Sequence, residues 1–448
     1  MKKQVKQLKK EGKGNSVIQK AKAVHFIGVG GIGISAVARM MILEKKKVSG
    51  SDTSESIVTK ELRKQGAKIY KIHNPKNISR KVELVIYSRA VQENNPEFAE
   101  AKKRGIPMLT YPEALGIISK DKFTIAVAGS HGKTTTTAMV GKILEDAKLK
   151  PTVVVGSLLK SSGSNLVVGK GDYFVVEADE YKRAFLNLTP KILVITNIEA
   201  DHLDYYKDLR DVQSAFVELV QKMGKDSFLI CNTGMKNLAP IVKKAKCHIL
   251  HYGDVVIGSP LKVMGKHNVE NAKSACMVGI ALNIHRDKVL KSLKNFTGTW
   301  RRQEYLGKTK TDAFIYDDYA HHPTEIKATL NAFREKFPEN KIIAVFMPHL
   351  FSRTKQFLKD FGESFKEATQ VVLADIFPAR EVSDGTIHSE DLVKEIKQYV
   401  KETFYLGDMK RIERFLKKYA KKGDVILTMG AGDIYKVAEK LVGKKKNT

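Results

Sequence analysis

The sequence predicts an α/β protein of three domains: a Rossmann-like N-terminal domain, a central domain built on a phosphate loop and a parallel sheet, and a Rossmann-like C-terminal domain. Three observations lead there. Two glycine turns, Gly28-Val29-Gly30-Gly31-Ile32-Gly33 and Gly129-Ser130-His131-Gly132-Lys133-Thr134, each follow an apolar run and precede a helical stretch. The other apolar runs read apolar throughout, as strands do when both faces of a parallel sheet are covered. At 448 residues, the chain is also too long for one ordinary core.

Residues 1–22 read as a basic, disordered leader, because the lysine-rich stretch from Met1 to Gly14 is not followed by a signal-peptide core. Residues 23–120 form the first expected domain, with strands at Val24–Ile27, Val48–Ser51, Glu83–Ser88 and Pro107–Thr110 and a helix at Ile34–Leu43. Asp52 closes the second strand about 20 residues beyond the glycine turn, where an acidic group meets a ribose in dinucleotide folds. Residues 121–296 form the second, from the strand Phe123–Val127 through apolar runs at Thr152–Val155, Tyr173–Val176, Ile192–Thr196 and Ser227–Cys231 to a helix over Val269–Leu282. Residues 297–448 form the third, with strands at Ala313–Tyr316, Ile342–Phe346, Val371–Ala374 and Val425–Met429.

Hydrophobic content of 42% with 28% charge is that of a soluble globular protein, and no apolar run approaches the roughly 20 residues that a membrane helix needs. A cytoplasmic protein without membrane insertion is expected. Three widely spaced cysteines suit neither a disulfide framework nor a zinc site. The net charge of +29 is spread along the whole chain rather than gathered in an arm, so it favours anionic ligands in general and argues against a nucleic-acid partner.

The turn ending in Gly-Lys-Thr carries the most chemistry. Backbone N–H groups around Gly129 and Gly132 can surround phosphate oxygens, the Lys133 ammonium can reach the terminal phosphates, and the Thr134 hydroxyl can ligate Mg²⁺. Two acidic clusters, Glu177-Ala178-Asp179-Glu180 and Glu199-Ala200-Asp201-His202, close the strands at Tyr173–Val176 and Ile192–Thr196. Strand ends of an open α/β sheet face its ligands, and Mg²⁺ beside phosphate needs oxygen donors. In the third unit, Asp317-Asp318-Tyr319-Ala320-His321-His322-Pro323 follows a strand; its paired histidines could ligate a metal, start a helix or position a charged substrate. Arg301 and Arg302 could reach phosphates.

These motifs, with Thr196-Asn197-Ile198-Glu199-Ala200-Asp201-His202 and Pro348-His349, resemble the Mur ligases, the ATP-dependent enzymes that add amino acids to UDP-N-acetylmuramic acid, and the match runs essentially end to end. Within the family they are similar to the alanine-adding branch, which implies ATP and Mg²⁺ as cofactors and UDP-N-acetylmuramate and L-alanine as substrates. The resemblance implies an N-terminal domain holding the UDP-sugar through Gly28, Gly30, Gly31, Gly33, Asp52 and Ser88. It implies a central domain holding Mg·ATP through Gly129, Ser130, His131, Gly132, Lys133, Thr134 and Thr135, with Glu177 and His202 at the metal. Asn268 and Asn271 would contact adenine, Arg302 phosphate and Asp318 the ribose, while His321, His349 and Arg353 would line the amino-acid pocket.

The implied chemistry is attack of the lactyl carboxylate on the γ-phosphate, giving an acyl phosphate and ADP. The amine of alanine then displaces phosphate, with Lys133, Glu177, His202 and His321 as the catalytic set. The chain departs from relatives in a short connection between Cys247 and Gly265, in Ala215-Phe216-Val217 where several members carry a carbamylated lysine, and in Leu350 where some have an arginine. A monomer or weak homodimer is expected. Two alternatives remain: the branch that joins a ready-made tripeptide to the same UDP-sugar, and a non-catalytic nucleotide- or nucleic-acid-binding protein.

Overall fold

The computed structural model describes residues 17–159, 163–379 and 381–442. They form two compact units, one running to Pro260 and including Glu270–Phe296, the other combining Leu261–Val269 with the chain from Thr297. The segment Leu261–Val269, placed by the sequence in the central domain, thus packs with the C-terminal one. Residues 1–16 of the expected leader lie outside the described residues, and its end needs correction: Val17–Lys20 is a helical turn with Ile18 and Ala21 buried in the core. Two apolar side chains suffice to pin that stretch down.

The first unit holds two sheets. In the first, β1 (Ala23–Ile27), β2 (Lys47–Ser51), β3 (Lys68–Tyr70), β4 (Leu84–Tyr87) and β5 (Met108–Thr110) lie in the order β3-β2-β1-β4-β5, all parallel. The second comprises β6 (Phe123–Ala128), β7 (Thr152–Val154), β8 (Leu166–Val167), β9 (Tyr173–Glu177), β10 (Ile192–Ile195), β11 (Phe228–Cys231) and β12 (His248–His251), ordered β12-β11-β10-β6-β9-β7-β8. Only its β7–β8 pairing is antiparallel. Each of β1, β6 and β10 is buried along its whole length, which is why they read as unbroken apolar runs. The strand before each glycine turn is central in its sheet, so the turn opens between two neighbouring strand ends.

Within this unit the two sheets are joined by polar contacts as well as apolar ones. Asn165 Nδ2 donates to Ser35 Oγ at 3.2 Å and to the Ile32 carbonyl. Arg89, just past β4, donates to the carbonyls of Tyr181 and Lys182 at 3.0 and 2.8 Å.

The second unit is one sheet of β13 (Glu304–Lys308), β14 (Phe314–Asp318), β15 (Ile342–Phe346), β16 (Gln370–Ala374), β17 (Thr403–Gly407) and β18 (Val425–Met429), ordered β13-β14-β18-β15-β16-β17. All pairings are parallel except β13–β14. Helices cover both faces, their apolar sides forming one cluster around Ile326, Leu330 and Phe333 and another around Ile412, Leu416 and Val437. The three α/β domains expected from the sequence are therefore present as three sheets. No helix is long and apolar enough to cross a membrane among the described residues, and the three cysteines are free thiols.

A buried carboxylate ties the first sheet to its loops. Glu97 is fully buried and accepts hydrogen bonds from Asn77 Nδ2 at 2.6 Å and from Ser51 Oγ, with His25 Nε2 at 3.5 Å. Burial alone would raise its pKa, but these donors outweigh burial and hold it at about 2. A depressed carboxylate pKa contributes stability that is complete above its unfolded value and lost as pH falls through the folded one. The wild-type protein should therefore lose about 3 kcal/mol more than Glu97→Gln between pH 4.5 and pH 2, measured by urea unfolding across that range. Parallel stability curves would contradict this.

Candidate active site

At the end of β1 the glycine turn wraps a small set of side chains. Gly28 and Val29 N–H groups donate to the Ser51 carbonyl at 2.9 and 3.0 Å, and Gly31 N–H to the Gly28 carbonyl at 3.4 Å. Gly30 N–H donates to Asp52 Oδ2 at 2.9 Å. A Cβ on Gly28, Gly30 or Gly33 would lie at 3.0, 2.8 or 2.8 Å from Ser88, Asp52 or Tyr111. The predicted sugar-site residues Gly28, Gly30, Gly31, Gly33, Asp52 and Ser88 are thus brought together.

The phosphate loop at the end of β6 is held by the next strand. Ser130 N–H donates to the Asn197 carbonyl at 3.0 Å, His131 N–H to Asn197 Oδ1 at 3.0 Å, and Thr196 Oγ1 to the His131 carbonyl at 2.6 Å. Gly129 and Gly132 take φ of +131° and +83°, and Gly132 begins the helix Lys133–Asp146. Thr134 and Thr135 are buried in its first turn. N–H groups converging at a helix N-terminus form an anion cradle. Asn271 closes on this loop: a Cβ on Gly132 would lie 2.3 Å from its Oδ1. Gly132→Ala combines that clash with left-handed backbone, and should weaken nucleotide binding by about tenfold or more. Calorimetry with ADP checks this, and an unchanged affinity would count against the cradle.

Lys133 reaches across the loop. Its ammonium donates to the carbonyls of Gly129 and Ser130 at 2.6 and 3.0 Å and to Glu180 Oε1 at 2.8 Å. Burial works against the charged amine, but Glu180, Asp179 and Glu177 outweigh it and raise its pKa. Burial likewise pushes Glu180 up to about 7, against the pull of Lys133.

Glu177, expected at the metal, accepts the Gly156 N–H at 2.8 Å and lines a cavity of about 160 Å³ with Gly33, Tyr111 and Asp179. The carboxylates gathered with His202 are Asp179 and Glu180, the three ligand atoms lying within 4.8 Å of one another. A carboxylate pair and an imidazole fit a divalent cation, and Glu180 Oε2 is buried with no hydrogen-bond partner among the described residues. The motif containing Glu180 was visible in the sequence, but strand alternation points only to Glu177 and Asp179 sharing a face. Glu180 lies beyond the strand, before a turn with Lys182 and Arg183 at φ of +50° and +56°.

In the second unit, Asp318 accepts from Gln303 N–H at 2.8 Å and Ala320 N–H at 2.7 Å, and Arg302 lies over the Tyr319 ring at 5.3 Å. Asn268 donates to the Met264 carbonyl at 2.7 Å and Gln303 Oε1 at 3.2 Å, so the two asparagines predicted for adenine belong to different units. His322 caps the helix Pro323–Lys336, the helix-start reading of the histidine pair. His321 Nδ1 lies 3.0 Å from the Tyr319 carbonyl, so Nδ1 donates and Nε2 is the basic nitrogen of the neutral ring. The rings of His321 and His349 stand 5.7 Å apart, and Arg353 Nη1 is 3.1 Å from His349 Nδ1. The three predicted amino-acid-pocket residues are thus grouped beyond the ends of β14 and β15, the two strands that flank β18.

Comparison with known proteins matches the chain domain by domain. Three family profiles match in order: "Mur ligase family, catalytic domain" over residues 23–123, "Mur ligase middle domain" over 127–256, and "Mur ligase, glutamate ligase domain" over 301–432. The UDP-N-acetylmuramate–L-alanine ligase of Clostridium kluyveri is 40% identical over 94% of this chain and 98% of its own. That of Clostridium tetani is 41% identical over 93% and 97%. The crystal structure of UDP-N-acetylmuramate-alanine ligase from Thermotoga maritima superposes with a TM-score of 0.81 at 29% identity, covering 94% of this chain and 98% of that one. A murein peptide ligase from Psychrobacter arcticus shares the fold, with a TM-score of 0.72 at 21% identity over 95% of this chain and 99% of that one. With relatives at this identity along nearly its whole length and all three domains matched, the chain belongs to the Mur ligase family.

Proposed function

We propose that this chain joins L-alanine to UDP-N-acetylmuramate at the expense of ATP, through an acyl phosphate. The observation that carries the reading is the largely buried Lys133 in its glycine cradle, in a chain 40% identical over 94% of its length to a ligase of that name. Lys133 and the loop N–H groups would bind the β- and γ-phosphates and offset the charge that repels an incoming carboxylate, which is most of what phosphoryl transfer asks of a protein. Thr134, His202 and the carboxylates at and after the end of β9 are the groups able to hold Mg²⁺, which when bound would supply positive charge against the phosphates.

The lactyl carboxylate oxygen bonds to the γ-phosphorus and the bond to ADP breaks. The amine nitrogen then bonds to the acyl carbon, and phosphate leaves with the carboxylate oxygen. The amine must shed a proton, and Nε2 of His321 is suited to take it. Arg353 offers a guanidinium for the alanine carboxylate.

The test is phosphate release from purified protein given ATP, Mg²⁺ and UDP-N-acetylmuramate with either L-alanine or the ready-made tripeptide. Release with L-alanine supports the reading. Release only with the tripeptide, or none with either, overturns it.

A further inference from the structure

The phosphate-loop ammonium is already engaged: the Glu180 carboxylate holds it at 2.8 Å, with both groups largely buried. Glu180 is 1% exposed, and its second oxygen meets no hydrogen-bond donor among the described residues. His202 Nε2 lies 3.8 Å from Glu180 Oε1, and Asp179 completes a group of three ligand atoms within 4.8 Å. The residue is fixed from both sides. Tyr206 Oη donates to the Glu180 carbonyl at 2.5 Å, and Arg89 grips the next two carbonyls, of Tyr181 and Lys182. Two carboxylates and an imidazole around one ammonium leave a buried oxygen unmet, which a lysine cannot reach but a divalent ion could.

We infer that the Asp179–Glu180–His202 cluster is a divalent-cation site whose place is held by the Lys133 ammonium when no nucleotide is bound, and that Glu180 is the positioning residue on which the two cations exchange. The inference rests on the ligase reading above. Polyphosphate entering the cradle draws the ammonium off Glu180, and the cation that accompanies it takes the vacated carboxylate. A single positive charge leaves the cluster as a double one arrives, so the buried Glu180 carboxylate is never left uncompensated. Without phosphate to attract Lys133, the cluster would accept metal poorly; metal and nucleotide would therefore load together.

Mn²⁺ alone, followed by electron paramagnetic resonance on the full chain, tests this. Lys133→Met is expected to bind Mn²⁺ about tenfold or more tightly than wild type without nucleotide, and Lys133→Met/Glu180→Gln to lose that gain. No gain in the single variant, or an equal gain in the double variant, overturns the inference. Should Lys133→Met fail to fold, calorimetry of Glu180→Gln with a non-hydrolysable ATP analogue in chelator supplies a second test. Removal of the competing carboxylate should tighten metal-free binding about tenfold, whereas unchanged or weaker binding overturns the inference. The phosphate-release assay separates the two claims: a wild type that ligates while these titrations fail refutes only the exchange, and one that never ligates refutes the function itself.

Discussion

Replacing Lys133 with alanine is expected to lower the rate of ligation by about 10²- to 10³-fold, the cost of removing one preorganised charge from a developing transition state. The lysine is the largely buried cation that the loop presents to phosphate, with its ammonium held by the carbonyls of Gly129 and Ser130 and by Glu180. Binding of UDP-N-acetylmuramate should survive, because the glycine turn of β1 belongs to a different sheet from the loop after β6. Steady-state kinetics and calorimetry on the same preparation check both halves. A variant that loses the sugar nucleotide as well would count against separate sites, and one that keeps full activity would remove the lysine from the chemistry.

Arg301→Ala should have the largest effect on stability. The guanidinium is 2% exposed and donates to Asp317 Oδ2 at 2.7 Å and to the carbonyls of Gly432 and Gly430 at 2.9 and 2.5 Å. It ties the end of β14 to the turn after β18. Its removal leaves Asp317 buried without its counter-ion, a change that costs about 3–5 kcal/mol. Lysine should not rescue it, since one ammonium cannot reproduce a planar fork.

Burial already pushes Asp317 up to about 7 despite the guanidinium. A raised carboxyl pKa means that the folded state binds the extra proton, so its stability falls as pH rises between the unfolded value and the folded one. Without Arg301 that pKa climbs further. The penalty measured by urea unfolding should therefore be greater at pH 8 than at pH 5. A penalty below 1 kcal/mol, or one that shrinks as pH rises, would contradict this account.

The interior of the fold was legible in the sequence and most of its margins were not. β1, β6, β10, β15 and β18 are buried on both faces and announce themselves as apolar runs. The strands that sequence reading passed over are β3, β8, β12, β13 and β17, each at the edge of its sheet. Lys68–Tyr70 and His248–His251 are exposed or only partly buried throughout, so nothing selects an apolar pattern there. β12 also occupies the start of the connection between Cys247 and Gly265 that looked short in the sequence.

The same contrast holds at the site. Gly129, Gly132 and Lys133 could be read directly, because backbone curvature and a cation at fixed spacing leave few other uses. The choice between Glu177 and Glu180 could not. It depends on how the chain turns after β9, on the Gly156 N–H that takes the first carboxylate and on the lysine that takes the second. Asn197, which holds the loop through His131, lay unremarked in a motif noted for its acidic end.

The central claim is that the cradle at Gly129–Thr134 turns a carboxylate into an acyl phosphate. Isotope transfer tests it most directly. UDP-N-acetylmuramate labelled with ¹⁸O in the lactyl carboxylate, turned over with ATP and L-alanine, should yield inorganic phosphate carrying one labelled oxygen for each amide formed. Amide accumulating beside unlabelled phosphate would contradict it.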